Sequence, residues 1–417
     1  MAYNISAPTS EATLQAFNQP LSEPLEAALD PEQEEPDAPW DARRQLRLYK
    51  TRANSAGLAW KGPWRTVPTA FAPDKYRLLD EKPFTASSDP LELLTEPGLI
   101  KTSFCGNSYY GEKKTKRGWT AVTIKKRLLQ PLGWHPPEQA ALQEEAALMA
   151  VQQALQLTPL PHHITHYLDS FRHTDPTYGL DCMYFVTKFE EGADLDVHFR
   201  ELHQAWQSPG DAMNIVHAAK QCFKQMLQGL KVLHDCGWGH MNLKPSKVQV
   251  RVNTDGTYHC TIVDLAASMG EKHPYTGLHN TCHASPQLME GLGLGVLRNI
   301  DYKPHDIWGM GCLLLQMLIN GNPFQPSTWS KPPPFPVTPL AMQTWFCEEM
   351  RLMHSKWATS FIDGHAMPEY AASLANLILD MQQHKVVARL LRGLLHPDSA
   401  CRYTVDQALN DDFLYGI

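Results

Sequence analysis

The sequence predicts an α+β fold in two parts: a small β-rich lobe with one main helix, then a larger, mainly helical lobe. Before residue 190, apolar residues fall in short β-branched and aromatic runs such as Met183-Tyr184-Phe185-Val186, interrupted by one helical stretch. After Gly192 they recur at helical spacing over long stretches. The chain has 417 residues, enough for a two-lobed domain of roughly 300 residues plus a tail. No internal repeat is evident.

Residues 1–42 hold nine acids and no Lys or Arg, with Pro24, Pro31, Pro36 and Pro39 among them. Such a stretch buries too little apolar surface to offset its ordering entropy, so a disordered tail is predicted, with a docking or export segment as its functional alternative. The net charge of -7 therefore belongs to the tail, and the remaining residues sum to +2. That balance gives no sign of a nucleic-acid-binding surface. Residues 43–75 are basic and aromatic (Arg43, Arg44, Trp60, Trp64) and read as an extension packed on the domain. The small lobe is expected over 76–190 and the large lobe over 191–417.

Within the small lobe, Leu148, Val151 and Leu155 share one face of a helix predicted over 139–155. In the large lobe, helices are predicted over 211–234 and 306–319. A Pro-rich loop over 331–336 then precedes further helices at 340–354 and 368–395. Nine scattered cysteines, odd in number and without C-x-x-C, argue for reduced thiols in a cytoplasmic setting and against a disulfide framework or zinc site. The amino terminus lacks the basic start and apolar core of a secretory signal. The longest apolar run, Met310 to Ile319, is too short to span a bilayer, so no membrane insertion is expected.

The chemistry-bearing segments come in a definite order. Gly106-Asn107-Ser108-Tyr109-Tyr110-Gly111 precedes Val122-Thr123-Ile124-Lys125, and Val186-Thr187-Lys188-Phe189-Glu190-Glu191-Gly192-Ala193-Asp194-Leu195 follows. Next come His240-Met241-Asn242-Leu243-Lys244-Pro245-Ser246-Lys247 and, seventeen residues beyond Lys247, Asp264-Leu265-Ala266. Ser285-Pro286-Gln287, Asp306-Ile307-Trp308-Gly309-Met310-Gly311 and the stretch from Leu394 to Thr404 with Arg402 complete the series. This succession resembles the eukaryotic-type protein kinase superfamily over about 100–415. It is similar to the glycine-rich loop G-x-G-x-x-G, to V-A-I-K, to the hinge, to the catalytic loop H-R-D-L-K-P-x-N, to D-F-G and to A-P-E. The last two segments are close to D-x-W-S-x-G and L-L-x-x-D-P-x-x-R-x-T. A bilobal kinase-like fold is implied.

The resemblance implies a nucleotide site for ATP. Gly106, Ser108 and Gly111 would approach the phosphates, with Ser108 replacing the middle glycine. Lys125 would hold the α- and β-phosphates, partnered by Glu144 or its neighbour Glu145. Thr187 would stand behind the adenine, Phe189 and Glu190 along its edge, and Asp194 where an acid meets ribose or substrate. Lys244 would neutralise the transferring phosphoryl group, and Asp264 would hold Mg²⁺ at a single site.

Several positions depart from the pattern. Asn242 stands where the family has its catalytic base, and an amide has no conjugate acid near neutral pH. Loss of such a base costs about 10²–10⁴-fold in rate. Lys247 replaces a metal-binding Asn with a cation that repels Mg²⁺. Its ammonium is expected to take the metal's place, pairing with Asp264 or with a nucleotide phosphate. Ala266 replaces the D-F-G glycine, and neutral Gln287 replaces the A-P-E acid that pairs with Arg402. The implied function is a pseudokinase, a nucleotide-binding regulatory or scaffolding module for a protein partner. The alternative is a low-activity ATP-dependent Ser/Thr-type kinase acting on a protein substrate, and a third reading is a transferase moving AMP.

Overall fold

Seven antiparallel strands make the small lobe's sheet: β1 (Trp64–Thr66), β2 (Tyr76–Leu79), β3 (Leu99–Ser103), β4 (Gly106–Thr115), β5 (Gly118–Leu128), β6 (Tyr167–Thr174) and β7 (Asp181–Lys188). The computed structural model describes residues 64–66, 76–79, 99–103, 106–129, 137–157, 162–174, 180–205, 209–270, 283–288, 300–321 and 381–415. The acidic tail, most of the 43–75 extension, the Pro-rich loop and the helix expected over 340–354 lie outside these residues.

The sheet runs β1-β2-β4-β5-β7-β6, with β3 beside β4 on the same edge as β2. Side chains alternate across a strand. On β5, Val122 and Ile124 therefore pack on one face with Tyr109, Tyr184 and Val186. Thr123, Lys125 and Arg127 share the other face. The helix α1 (Pro137–Leu157) starts with Pro at its first position, where the missing N–H costs nothing. Ala147, Leu148, Val151 and Leu155 bury its inner side in the main core.

Past the β7 exit, β8 (Ala193–Asp194) leads into α2 (Leu195–Gln204) and α3 (Pro209–Asp235). Short strands β9 (Trp238–Gly239) and β12 (Met269–Gly270) pair with each other. The hairpin of β10 (Val248–Val252) and β11 (Tyr258–Ile262) pairs in turn with β8. The helix α4 (Tyr302–Ile319) begins before the expected 306 because the Asp301 side chain accepts from Lys303 N and caps it. It is buried on nearly every face and forms the centre of the large lobe. Then come α5 (Met381–Leu394) and α6 (Val405–Leu409), the latter with a reciprocal Thr404–Gln407 capping box. No helix among the described residues is long and apolar enough to cross a membrane.

Candidate functional site

A cleft open to solvent lies between the two lobes, its empty space of roughly 760 Å³ including that open solvent. Strand β5 supplies its inner wall. Lys125 Nζ donates to Glu144 Oε1 at 2.7 Å and to Asp264 Oδ1 at 2.7 Å. Two residues on, and therefore on the same face, Arg127 Nη1 donates to Glu144 Oε2 at 2.9 Å and to Ala140 O at 3.4 Å. Glu144 is thus held by two cations while only 2% exposed. A buried carboxylate persists as an anion only with such partners. Glu145, one step round the helix, instead accepts from Ser170 Oγ.

Asp264 follows β11 in a left-handed backbone conformation, φ 68°, which Asp tolerates better than most residues. Its second oxygen, Oδ2, accepts from the buried Lys247 Nζ. Burial alone would raise this carboxyl, but the charges and hydrogen bonds of Lys125 and Lys247 hold it well below the usual carboxylate range. Among the described residues these pairs link three cations and two carboxylates, Arg127–Glu144–Lys125–Asp264–Lys247. Among the described residues no group of three or more His, Cys, Asp or Glu is arranged to hold a metal ion.

The loop after β9 is pinned from below. Asp306, on α4, accepts from His240 N at 2.7 Å, Met241 N at 2.8 Å and His234 Nε2 at 3.0 Å. Met241 takes φ 62°, so Asp306 fixes an otherwise disfavoured backbone. Asn242 follows at once, and its Oδ1 is buried with no hydrogen-bond partner among the described residues. His283 lies buried near this loop, its Nε2 3.1 Å from Gln316 Oε1. Burial pushes its imidazole down to about 4, and the Lys244 charge pushes the same way.

At the hinge, Lys188 N donates to His166 O at 2.9 Å, and Phe189 meets Tyr110 edge to face with centroids 5.0 Å apart. Gly192 sits at φ 117° against Val250 O, where a Cβ would collide. Burial raises the Glu190 carboxyl to about 7, against the opposing pull of Lys188 and Arg251.

Of the residues singled out from sequence, Ser108, Lys125, Glu144, Thr187, Phe189, Glu190 and Asp264 line the cavity. Lys247 reaches Asp264 from beneath, and Asn242 and Lys244 sit on the neighbouring loop, outside the lining. The expected glycine-rich loop is a correction: Gly106 to Gly111 are all strand, in unbroken register with β5 from Asn107–Lys126 onward. Gly106 has φ 126°, and a Cβ there would strike the Lys126 carbonyl, so its glycine serves strand packing. Strand β3 pairs with β4 as far as Ser103 opposite Gly106, so Gly106 already belongs to the ladder. Gly111 does not line the cavity. Neither does Asp194, whose two oxygens are taken by Gln249 Nε2 and Lys101 Nζ.

Arg127, Lys101 and Gln249 escaped sequence reasoning. The period of two along β5 signals Arg127. Lys101 and Gln249 carry no local signal, because strand pairing and the packing of the two lobes bring β3 and β10 to the cleft. Gln287 accepts from Arg402 Nη2 at 2.9 Å, and backbone carbonyls of Pro304, His396 and Pro397 accept further guanidinium hydrogens.

Residues 136–414, well over half of the chain, match the family model for the protein kinase domain. Among curated proteins, the chain is 24% identical over 257 residues to the serine/threonine-protein kinase PTK2/STK2 of Saccharomyces cerevisiae, covering 54% of this chain and 28% of that protein. It is 33% identical over 115 residues to a probable serine/threonine-protein kinase, fhkD, of Dictyostelium discoideum, covering 25% of this chain and 15% of that one. A dual specificity protein kinase YAK1 homolog of Arabidopsis thaliana is 30% identical over 133 residues, 32% of this chain and 13% of its own. The chain spans less than a third of the length of these relatives. With a family match that runs from the start of α1 to the final turn, and a cleft, hinge and pinned loop in the matching order, the chain belongs to the eukaryotic-type protein kinase superfamily.

Proposed function

We propose that the protein is a pseudokinase: a regulatory or scaffolding module that binds a nucleotide in the interlobe cleft and acts through a protein partner. One observation carries the reading. Both oxygens of Asp264 are engaged by ammonium groups, Lys125 on one side and Lys247 on the other. A divalent cation there would face two fixed positive charges, so these residues do not fit Mg²⁺. Asn242, beside them, offers an amide where phosphoryl transfer needs a proton acceptor.

Lys125 in the cleft wall, with Arg127 and Lys247 close behind it, favours a phosphate without a metal. Six cysteines, Cys182, Cys222, Cys236, Cys260, Cys312 and Cys401, form no disulfide among the described residues, which supports a cytoplasmic setting. The second reading, a slow Ser/Thr-type protein kinase, draws support from the intact Lys125–Glu144 pair and from the loop that Asp306 holds in place.

The test combines phosphotransfer with nucleotide titration. Wild type, Asp264→Ala and Lys125→Met are incubated with labelled ATP and a degenerate peptide library, with Mg²⁺ present. All three are expected at background. Thermal-shift titration of the wild type with ATP should give midpoints within about twofold with and without Mg²⁺, because Lys247 stands where the ion would add attraction. Transfer by wild type that both variants abolish establishes the slow kinase instead.

A further inference from the structure

Lys101 reaches the cleft from the small lobe and is absent from every motif. It lies on β3, yet its Nζ donates to Ser246 O on the large lobe and stands 3.4 Å from Asp194 Oδ2. Asp194 Oδ1 accepts from Gln249 Nε2. Lys101 and Gln249 line the cavity, whereas Asp194 does not. The part-exposed carboxylate is thus held by two side chains that do line the cavity.

The ion pairs around the cleft differ in how readily they yield. The side chains of Lys101 and Asp194 are 30% and 26% exposed, so their attraction is screened and weak. The Lys247–Asp264 pair, at 4% and 18%, is far better enclosed and stays shut. A ligand hydroxyl seeking Asp194 would therefore displace Lys101 before anything deeper.

We propose that Lys101 is a specificity-determining strap: in the unliganded protein it ties the lobes together over Asp194, and a ribose displaces it, freeing its ammonium to meet the ligand's phosphate. This rests on the nucleotide reading above. The strap makes the two halves of a nucleotide interdependent. A nucleoside bears the full cost of displacement, while a nucleotide recovers it through the phosphate.

Binding of adenosine, 2′,3′-dideoxyadenosine and ADP, all without metal, to wild type and Lys101→Met tests this by calorimetry. Adenosine should bind the variant about two- to five-fold more tightly, the range expected when a part-exposed ion pair no longer competes. Dideoxyadenosine, lacking the hydroxyls, should not gain, and the preference for ADP over adenosine should shrink. Equal adenosine affinity in the two proteins, or an equal gain for the dideoxy compound, overturns the strap and leaves the nucleotide site standing. Binding of no nucleotide to either protein overturns the nucleotide reading and the ribose competition together. Hydrogen exchange of the β3 amides in the unliganded proteins checks the bridge independently: faster exchange in Lys101→Met supports it, and identical exchange removes it.

Discussion

Asp306, which holds the loop after β9, and Asn242, within that loop, have opposite hydrogen-bonding fates. Asp306 is buried with three donors upon it: two backbone amides and the His234 ring. Burial opposes its ionisation, but His234, first by its hydrogen bond and then by its charge, helps keep the carboxyl below its ordinary range. Asp306→Ala would leave those donors without an acceptor in the interior and should cost roughly 3–5 kcal/mol. Urea unfolding of the two proteins measures it. Asp306→Asn retains one acceptor oxygen and should lose less. Asn242 presents the reverse case, an acceptor oxygen buried without a donor among the described residues, at the position where the family's chemistry would be centred.

Strand β4 illustrates what an element imposes. Its residues from Asn107 to Thr115 pair continuously with β5, and this register puts Ser108 opposite Lys125. Gly106 lets the two backbones close at the end of that ladder, at φ 126° and against the Lys126 carbonyl. Gly106→Ala must therefore either strain the backbone or open the pair beside Lys125. Residues forced into such conformations cost about 1–3 kcal/mol each, so the melting temperature should fall by several degrees. Unchanged melting would mean that β4 relaxes there freely. The same two-residue period that buries Ile124 turns Lys125 and Arg127 together toward Glu144, and so clamps α1 to the sheet with two cations.

Between the lobes, Glu190 makes the whole molecule sensitive to pH. Its carboxyl is raised from 4.5 to about 7, with burial the main cause. The folded protein therefore binds this proton more tightly than the unfolded chain does. The stabilisation is full below the unfolded value, declines as pH rises through about 7, and is gone above it. Each tenfold gain in proton affinity on folding is worth about 1.4 kcal/mol, so the change is on the order of 3 kcal/mol. Melting curves from pH 5 to 8 should show wild type losing stability relative to Glu190→Gln over that window. Parallel curves for the two proteins would contradict it. Asp264 and Asp306 have lowered values and act in the opposite sense at acid pH, so the difference between the two proteins isolates Glu190.

The order of motifs and the two periodicities determined the fold class, the places of α1, α3 and α4 and the cavity-lining Lys125, Glu144 and Asp264, because these depend on spacing along the chain. Local residue types determined the departures at Asn242 and Lys247 in the same way. Strand pairing decided what spacing cannot encode. It turned the expected Gly106–Gly111 loop into a strand, since backbone hydrogen bonds to β5 were available along its whole length. It also set Gln249 of β10 opposite Asp194 of β8, and the packing of the two lobes brought Lys101 of β3 onto the same carboxylate. Charges far apart in sequence meet only after the chain has folded, and their partners depend on which strands lie side by side.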